Sequence, residues 1–208
     1  MTSKSAMVYV VDDDQDIRAS LSRSLRMRGF TVEAYDSAQA FLDGYDADNL
    51  ACLVLDYGLP GMTGLELQEH INRKGYLLPI IFITGHGGVP ESVHAMKGGA
   101  VDFLEKPFRQ SVLVERIESA CQIAVDLSQA ASREKDVASR FERLTTRERE
   151  VAEFILRNPA EITSKDIGRN LGISPRTVDH HRARILEKLD IRSVVELIDL
   201  AKSSKWPA

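Results

Sequence analysis

The chain has only two cysteines among its 208 residues, Cys52 and Cys121, and both lie inside apolar segments. Because a structural metal site usually takes about four ligands, this scarcity argues against a cysteine-based one, and we expect two buried, reduced thiols. No run of about 18 apolar residues occurs, so a membrane-spanning helix is not expected. Aspartates directly follow the first apolar segment, where a signal peptide would need its cleavage site, so we expect a cytoplasmic protein.

Charge is distributed unevenly along a chain whose composition, 43% apolar and 28% charged residues, is typical of a globular protein. Residues 1–121 contain 11 basic and 17 acidic side chains, a net charge of −6, and residues 122–142 have a net charge of −1. Residues 143–208 contain 13 basic and 10 acidic side chains, a net charge of +3. Unlike charges indicate different partners for the two ends, although two ordinary solvated surfaces would give the same numbers.

Five short apolar segments predict strands. Three of them are filled with Val, Ile and Leu without polar alternation, which is typical of parallel strands covered on both faces. These three are Met7–Val11, Cys52–Leu55 and Ile80–Thr84, and the two weaker ones are Thr31–Tyr35 and Val101–Leu104. Amphipathic segments of helical length separate them. The alternation predicts a doubly wound, flavodoxin-like α/β domain with a five-stranded parallel sheet over residues 1–121.

A long segment without helix-breaking residues follows the fifth predicted strand. No proline or glycine lies between Pro107 and Pro159, so a helix that begins near Gln110 has no stop signal before Arg143. Apolar residues recur in it at alternating spacings of four and three, at Leu113, Ile117, Ala120, Ala124, Leu127 and Ala131. Such spacing is typical of a coiled-coil seam, and we interpret residues 122–142 as a linker helix that pairs with a second copy. The alternative is a helix that packs on its own domain.

From residue 143 onward the pattern is entirely helical. Thr145 and Glu148 have the spacing of a capping box, which opens a helix. Gly172 marks a tight turn after a short helix, and Pro175 suits the first position of a longer, basic helix. A short helix, a turn with glycine and a basic helix form the helix-turn-helix pattern. We therefore expect an all-α, four-helix DNA-binding domain over residues 143–208.

Polar residues stand at the ends of four predicted strands. Asp12 and Asp13 follow the first strand, Asp56 follows the third, Thr84 ends the fourth, and Lys106 follows the fifth. In a doubly wound sheet these ends meet at one crevice, where three carboxylates need a cation, and hard oxygen ligands at a phosphate site favour Mg²⁺. Asp56 would attack a phosphoryl group in line while Mg²⁺ and the Lys106 ammonium offset its charge.

Three segments resemble the receiver domains of two-component response regulators, and more closely those of the FixJ and StyR type. They read VVDDDQDIR (Val10–Arg18), CLVLDYGLPGMTGLELQ (Cys52–Gln68) and IIFITGHGGVPESVHAMKGGAVDFLEKPF (Ile80–Phe108). The resemblance implies that Asp56 accepts phosphate from a histidine kinase. It also implies a magnesium site made by Asp12 through water, Asp13, Asp56 and the carbonyl of Gly58. The phosphoryl-binding and switch residues that it implies are Thr84, Phe103 and Lys106, with a cis peptide bond before Pro107.

Two positions depart from that family's pattern. His86-Gly87-Gly88 stands where the family usually has an acidic third residue, and Tyr57-Gly58 replaces the usual pair after the aspartate. Both flank the path of a hydrolytic water, so the lifetime of the phosphorylated state does not follow from the resemblance. Gly58 also stands where an aspartate-based phosphatase of the haloacid dehalogenase kind needs a second acid. We therefore expect a regulator and not a turnover enzyme.

The last third of the chain resembles the LuxR/FixJ-type effector domain, through Leu144–Val151 and Lys165–Ser193. In its basic helix, Val178, Ile185 and Leu189 should face the core. The residues expected to face DNA are Arg176, Thr177, Asp179, His180, Arg182, Ala183, Arg184 and Lys188. Arg or Lys would read guanine and Asp would accept from cytosine in the major groove, while four of the set (Arg176, Thr177, Arg182 and Lys188) could instead contact phosphates. The alternative is a core helix with a solvated basic face.

Two smaller differences from the effector family concern its scaffold. The segment from Asn158 to Thr163 is about three residues longer than usual, and Gly168 stands where Ala is usual.

Together the motifs predict a phosphorylation-dependent transcription factor. Phosphorylation should dimerise the receiver through its fourth helix, fifth strand and the start of its fifth helix, and so place two DNA-reading helices on adjacent half-sites. That face carries Val93, Met96, Lys97, Phe103 and Val112. RNA polymerase is a further expected partner. The alternatives are a regulator that needs no phosphate and one in which phosphorylation unmasks the DNA-reading helix.

Overall fold

The structure is a computed structural model that describes residues 7–85, 89–160, 162–204 and 206, with the backbone alone for residues 89 and 203. Two predicted departures touch positions outside the described residues, namely His86-Gly87-Gly88 and, in the longer loop, Glu161. Across the described ranges, no helix combines the length and the apolar character needed to cross a bilayer.

The first of two compact units, Met1–Ser128, is built on one parallel sheet. Its strands are β1 (Met7–Val11), β2 (Thr31–Tyr35), β3 (Ala51–Asp56), β4 (Ile80–Thr84) and β5 (Asp102–Glu105). Neighbouring strands pair in the order β2-β1-β3-β4-β5, and every pair is parallel. The predicted sheet is confirmed, with β3 one residue longer at each end and β5 one residue later than expected.

Helices cover both faces of this sheet. They are α1 (Gln15–Arg26), α2 (Ala38–Gly44), α3 (Gly64–Lys74), α4 (Val89–Lys97) and α5 (Gln110–Glu142). Apolar side chains of α1 and α5 form the core on one face, and those of α2, α3 and α4 form it on the other. This cover explains why β3 and β4 are buried along their whole length and have no polar alternation. Each large apolar side chain so buried contributes about 1.5–3 kcal/mol.

The first half of α5 corrects the predicted seam for the residues before 122, while pairing of residues 122–142 stays a prediction. Leu113, Ile117 and Ala120 are fully buried in the core that α5 shares with the sheet, so they do not form a seam with a second copy. The alternative prediction, a helix that packs on its own domain, is confirmed for these three residues. An amphipathic helix lying on a sheet has the same alternating spacing, so the pattern alone does not separate the two arrangements. Leu127, further along the helix, is exposed.

The second compact unit, Gln129–Ala208, is helical throughout its described residues. After the end of α5 it contains α6 (Thr146–Arg157), α7 (Ser164–Leu171), α8 (Pro175–Leu189) and α9 (Val194–Ser204). Thr145 makes the predicted capping box with Glu148, and Ser174 caps α8 with Pro175 in the first turn. A single core cluster joins the four helices and includes Phe141 from the last turn of α5.

The last turn of α5 is attached to this unit by two further contacts. The ring of Trp206 stacks on Phe141 with 4.2 Å between centroids and 13° between planes. The Arg149 guanidinium lies 5.7 Å from the centre of the Trp206 ring, within range of a cation–π interaction. Arg140 Nη1 donates to the carbonyl of Leu189 at the end of α8. The compact unit therefore includes part of the segment that we interpreted as linker.

Candidate functional sites

The carboxyl ends of β1, β3 and β5 bring three charged side chains into contact. Lys106 Nζ lies 2.7 Å from Asp12 Oδ2 and 2.7 Å from Asp56 Oδ1. Asp12 is fully buried, Asp56 nearly so, and the Lys106 side chain is 18% exposed. Three of the residues that the sequence placed at strand ends therefore meet directly, as expected from the edge that parallel strands share.

The charges in this pocket do not balance, because one ammonium faces two carboxylates. Burial raises the pKa of the Asp12 carboxyl above its usual value, and its hydrogen bond with Lys106 offsets that effect only in part. Burial lowers the pKa of the Lys106 ammonium, but its hydrogen bonds to Asp12 and Asp56 outweigh burial, so the pKa is raised. Lys106 thus stays protonated at neutral pH, and the pocket keeps a surplus negative charge that favours a cation.

The other predicted pocket residues are close in the fold but are not all in contact. Asp13 follows Asp12 and is exposed, while Thr84 is buried at the end of β4. The amide of Gly58 donates to Asp56 Oδ2 at 2.7 Å. Among the described residues, no three acidic, histidine or cysteine side chains are grouped tightly enough to hold a metal by themselves. Hard oxygen donors and surplus negative charge nevertheless fit Mg²⁺, which keeps several waters and needs only one or two carboxylates.

Two residues that shape the pocket were not singled out from the sequence. Arg18 Nη1 donates to the carbonyl of Asp12 at 2.7 Å and so fixes the backbone that carries this carboxylate. A Cβ on Gly64 would lie 2.6 Å from the carbonyl oxygen of Asp56, which only glycine avoids. Both residues lie inside the segments that resemble receivers, but neither has a titratable carboxylate or a strand-end position that would have drawn attention to it.

Aromatic rings connect the pocket to β5. Phe103 is half-buried, and its ring lies 5.9 Å from Tyr57 in an edge-on arrangement and 6.2 Å from Phe82. Tyr57 directly follows Asp56, so its ring connects Phe103, one of the two predicted switch positions, to the loop after Asp56. The bond between Lys106 and Pro107 is cis, as predicted.

The predicted dimer face is partly apolar and open. Val93 and Met96 on α4 are 44% and 47% exposed, unusual values for large apolar side chains. Lys97 is exposed and Val112 on α5 is half-buried.

In the second unit, α8 has the two faces that the sequence predicted. Val178, Ile185 and Leu189 are fully buried. Five of the residues expected to face DNA are exposed, namely Arg176, Asp179, His180, Ala183 and Arg184. Asp179 accepts a hydrogen bond from the hydroxyl of Ser164, and Arg184 pairs with Glu187 at 2.8 Å.

The other three expected DNA contacts are half-buried and hydrogen-bonded inside the unit. Thr177 Oγ1 lies 2.7 Å from the hydroxyl of Ser174 at the start of α8. Arg182 Nη1 donates to the carbonyl of Ile162 at 3.3 Å. Lys188 Nζ lies 2.6 Å from Glu148 Oε2, and it also donates to a backbone carbonyl just before α6. Arg182 and Lys188 thus hold α8 against its neighbours in the free protein, whereas Thr177 is bonded within the start of α8.

Sequence reasoning missed the ion pair between the buried carboxylate of Glu148 and the half-buried ammonium of Lys188. Burial raises the pKa of the Glu148 carboxyl, but the hydrogen bonds from Lys188 and from the amide of Thr145 outweigh burial and lower it. The capping box identified Glu148, whereas no local pattern relates it to a lysine 40 positions later.

Gly168 explains how α7 and α8 approach each other so closely. A Cβ at this position would lie 2.6 Å from the carbonyl oxygen of Ile173 in the turn. The amide of Ile173 donates back to the carbonyl of Gly168 at 3.0 Å, and Gly172 ends α7 with a left-handed conformation. The glycine that departs from the family pattern therefore lies in α7 and gives the turn room to pack against that helix.

Comparison with known proteins agrees with this division of the chain. Residues 8–118 match the response regulator receiver domain, and residues 142–201 match the luxR family of bacterial regulatory proteins. The transcriptional regulatory protein FixJ of Bradyrhizobium diazoefficiens is 42% identical over 201 residues, which cover 97% of this chain and 96% of that protein. Response regulator protein TodT of Pseudomonas putida is 36% identical over 205 residues, which cover 99% and 89%.

Solved structures give the same result. The response regulator StyR is 40% identical, with a TM-score of 0.81 and coverage of 95% of this chain and 98% of that one. Full-length FixJ from B. japonicum is 39% identical, with a TM-score of 0.58 and coverage of 99% and 100%. The chain therefore belongs to the FixJ-like response regulators, transcription regulators that join a receiver domain to a LuxR-type DNA-binding domain.

Proposed function

We propose that a histidine kinase phosphorylates Asp56 and that the phosphorylated protein binds DNA as a dimer. The observation that carries the proposal is the pocket in which the Lys106 ammonium contacts both Asp12 and Asp56. A carboxylate held beside a lysine at the open end of a parallel sheet is placed to receive a phosphoryl group and to have the incoming charge offset.

In the transfer, one oxygen of the Asp56 carboxylate attacks the phosphorus of a phosphohistidine. The bond between phosphorus and nitrogen breaks, and its electron pair remains on the imidazole. Asp12 through water, Asp13, Asp56 and the carbonyl of Gly58 would hold Mg²⁺, which supplies charge neutralisation at the phosphoryl oxygens. The Lys106 ammonium exchanges its contact with Asp56 for a phosphoryl oxygen, and the hydroxyl of Thr84 donates to another.

The switch that follows uses the rings near β5. As Thr84 moves toward the phosphoryl group, the ring of Phe103 turns inward against Phe82 and Tyr57, its present neighbours. This rearrangement changes the adjoining face made by α4, β5 and the start of α5. The exposed side chains of Val93 and Met96, together with Lys97, Phe103 and Val112, then bury against the same face of a second copy.

The DNA contacts divide into two groups. We propose that the exposed residues of α8, namely Arg176, Asp179, His180, Ala183 and Arg184, face the major groove and its edges. Thr177, Arg182 and Lys188 position the helix, and contact of these three with phosphates stays a prediction. Dimerisation places two such helices on half-sites roughly one helical turn apart.

Organisation, location and further partners complete the proposal. The receiver spans residues 1–121, the linker 122–142 and the DNA-binding domain 143–208. The protein acts in the cytoplasm with its kinase and with RNA polymerase, and it self-phosphorylates from small phosphodonors without turning over a substrate. The family relationship and the absence of a fitting second acid at Gly58 support this view.

The test compares the protein with and without beryllofluoride and Mg²⁺, a stable stand-in for the phosphoryl group. We expect a monomer to become a dimer in light scattering. DNA affinity should rise at least about tenfold, measured on a duplex selected with the loaded protein. Asp56→Asn should abolish both changes, while Asp48→Asn, an exposed control in the same unit, should leave both intact.

Two results would favour the alternatives. If Asp56→Asn binds the selected duplex as tightly as the loaded protein, the regulator needs no phosphate. If beryllofluoride raises DNA affinity without any dimer, and residues 129–208 alone bind as tightly as the loaded chain, phosphorylation acts by unmasking.

A further inference from the structure

The only two cysteines of the chain lie side by side in the fold. Cys52 and Cys121 are 69 positions apart in the sequence, and their sulfurs are 3.7 Å apart and in hydrogen-bond contact. Cys52 is in β3 and fully buried, whereas Cys121 is in α5 and half-buried. Both belong to the first compact unit and to the core cluster on the α1 and α5 face of the sheet.

The two sulfurs would have to move only a short distance to form a covalent bond. A disulfide needs about 2.05 Å between sulfurs, so the two atoms must approach by about 1.7 Å from their 3.7 Å separation. No expected function of a receiver uses either thiol.

We propose that Cys52 and Cys121 form a redox-responsive dithiol that an oxidant of the hydroperoxide class closes into an intramolecular disulfide. Its half-exposed position makes Cys121 the sulfur that meets the oxidant, and Cys52, which solvent does not reach, is the resolving partner.

The local chemistry supports this division of roles. The hydrogen bond between the two sulfurs lowers the pKa of Cys121, and the thiolate is the reactive form of cysteine. The hydrogen bond with Cys121, together with burial, raises the pKa of Cys52, which keeps that sulfur protonated until Cys121 has reacted.

The reaction proceeds in two balanced steps. The Cys121 thiolate attacks one oxygen of hydrogen peroxide, the O–O bond breaks, and the departing hydroxide takes up the thiol proton as water. The Cys52 sulfur then attacks the sulfur of the Cys121 sulfenic acid and loses its proton, and the S–O bond breaks to release a second water. Two thiols are oxidised and one peroxide is reduced. The product joins the strand that ends in Asp56 to the helix that continues into the second unit.

The experiment treats the reduced full-length protein with hydrogen peroxide, blocks remaining thiols with N-ethylmaleimide in denaturant, and determines intact mass and cross-linked peptides. We expect the loss of two hydrogens, no maleimide label, and two labels again after dithiothreitol. Folded protein should form the bridge at least about tenfold faster than protein in urea, because the fold holds the sulfurs together.

Two variants check the roles of the two sulfurs. Cys121→Ser should leave Cys52 unoxidised and fully labelled, whereas Cys52→Ser should stop at a Cys121 sulfenic acid that dimedone traps. The wild-type measurement decides the proposal even if a variant fails to fold. Two thiols that remain labelled, oxidation of Cys121 alone to the sulfinic acid, or bridges only between chains would each overturn it. None of these outcomes depends on phosphorylation of Asp56.

Discussion

Two ion pairs that involve buried carboxylates, one in each unit, have nearly the same geometry and differ in charge balance. Lys106 Nζ is 2.7 Å from a carboxylate oxygen of Asp12 and of Asp56, and Lys188 Nζ is 2.6 Å from Glu148. In the first unit one ammonium serves two carboxylates, whereas in the second one ammonium serves one. A balanced pair with all its hydrogen bonds is structural, but a surplus charge needs a further ligand. The two sites therefore differ in charge balance and not in the distance between the charged atoms.

The pKa values of the two acids express the same difference. The pKa of the Asp12 carboxyl is raised, because the effect of burial is larger than the opposing effect of Lys106, which Asp12 shares with Asp56. The pKa of the Glu148 carboxyl is lowered, because the hydrogen bonds from Lys188 and from the amide of Thr145 more than offset the effect of burial. The first pocket therefore has a carboxylate charge that Lys106 does not balance, whereas the charges of the second pair balance.

The largest effect is expected from Lys188→Met, which leaves the Glu148 carboxylate buried without its cation. We expect a loss of about 3 kcal/mol in the free energy of unfolding of the second unit. Urea unfolding followed by the fluorescence of Trp206, the single tryptophan, measures this unit specifically. The control Lys202→Met, on an exposed part of α9, should stay within about 0.5 kcal/mol of wild type. A loss below about 1 kcal/mol would show that the pair contributes little.

A smaller and conditional loss is expected from Lys106→Met. Without Mg²⁺ the two carboxylates repel each other, and we expect about 2 kcal/mol less stability of the first unit. Mg²⁺ should restore most of that loss, because it binds the folded pocket and not the unfolded chain. Hydrogen exchange of the amides of β3 and β4 measures the effect. If Mg²⁺ rescued Lys188→Met equally well, the proposed contrast between the two pairs would be wrong.

A gain in the stability of the first unit, instead of a loss, is expected from removing one of its two carboxylates. In the absence of Mg²⁺, Asp56→Asn should stabilise the first unit by about 1 kcal/mol, because the remaining Lys106 and Asp12 form a balanced pair. Glu148→Gln should instead destabilise the second unit by about the same amount. Both are measured by the same unfolding experiments. If Asp56→Asn destabilised the first unit, the argument from charge balance would be wrong.

The smallest effects concern pH, and they should run in opposite directions. Because folding raises the pKa of Asp12, the contribution of this group to the free energy of unfolding is fully present below 3.8, its pKa in the unfolded chain. That contribution is lost as the pH rises through the pKa of the folded state. Because folding lowers the pKa of Glu148, the contribution of this group to the free energy of unfolding is present above 4.5, its pKa in the unfolded chain. That contribution is lost as the pH falls through the pKa of the folded state. Unfolding curves from pH 7 downward, without Mg²⁺, check this. Asp12→Asn and Glu148→Gln should each flatten the curve of their own unit only.

Much of the fold could be predicted from the sequence, because the relevant signals are local. Uninterrupted apolar segments predicted β1, β3 and β4, and the capping box of Thr145 and Glu148 predicted the start of α6. The meeting of Asp12, Asp56 and Lys106 could be predicted too, since parallel strands share one edge and fix which ends converge.

The errors and omissions involve partners that are distant in the sequence. Spacing along α5 predicted an apolar stripe but not what covers it, and the sheet covers Leu113 and Ile117. The partner of Lys188 lies 40 positions earlier, and that of Cys121 lies 69 positions earlier. Close approaches such as that of Gly168 to Ile173 depend on backbone geometry, which composition does not report.

The stack of Trp206 on Phe141 bears on how such a module can be exchanged between proteins. The stretch matching the luxR family runs from residue 142 to residue 201, yet one stacked ring lies just before it and the other beyond it. A gene fusion cut at the edges of the motif would remove both rings from the core cluster of this unit. Recombination that preserves function must therefore transfer the end of the preceding helix together with the tail. The segment that must be transferred is longer than the segment that matches the luxR family.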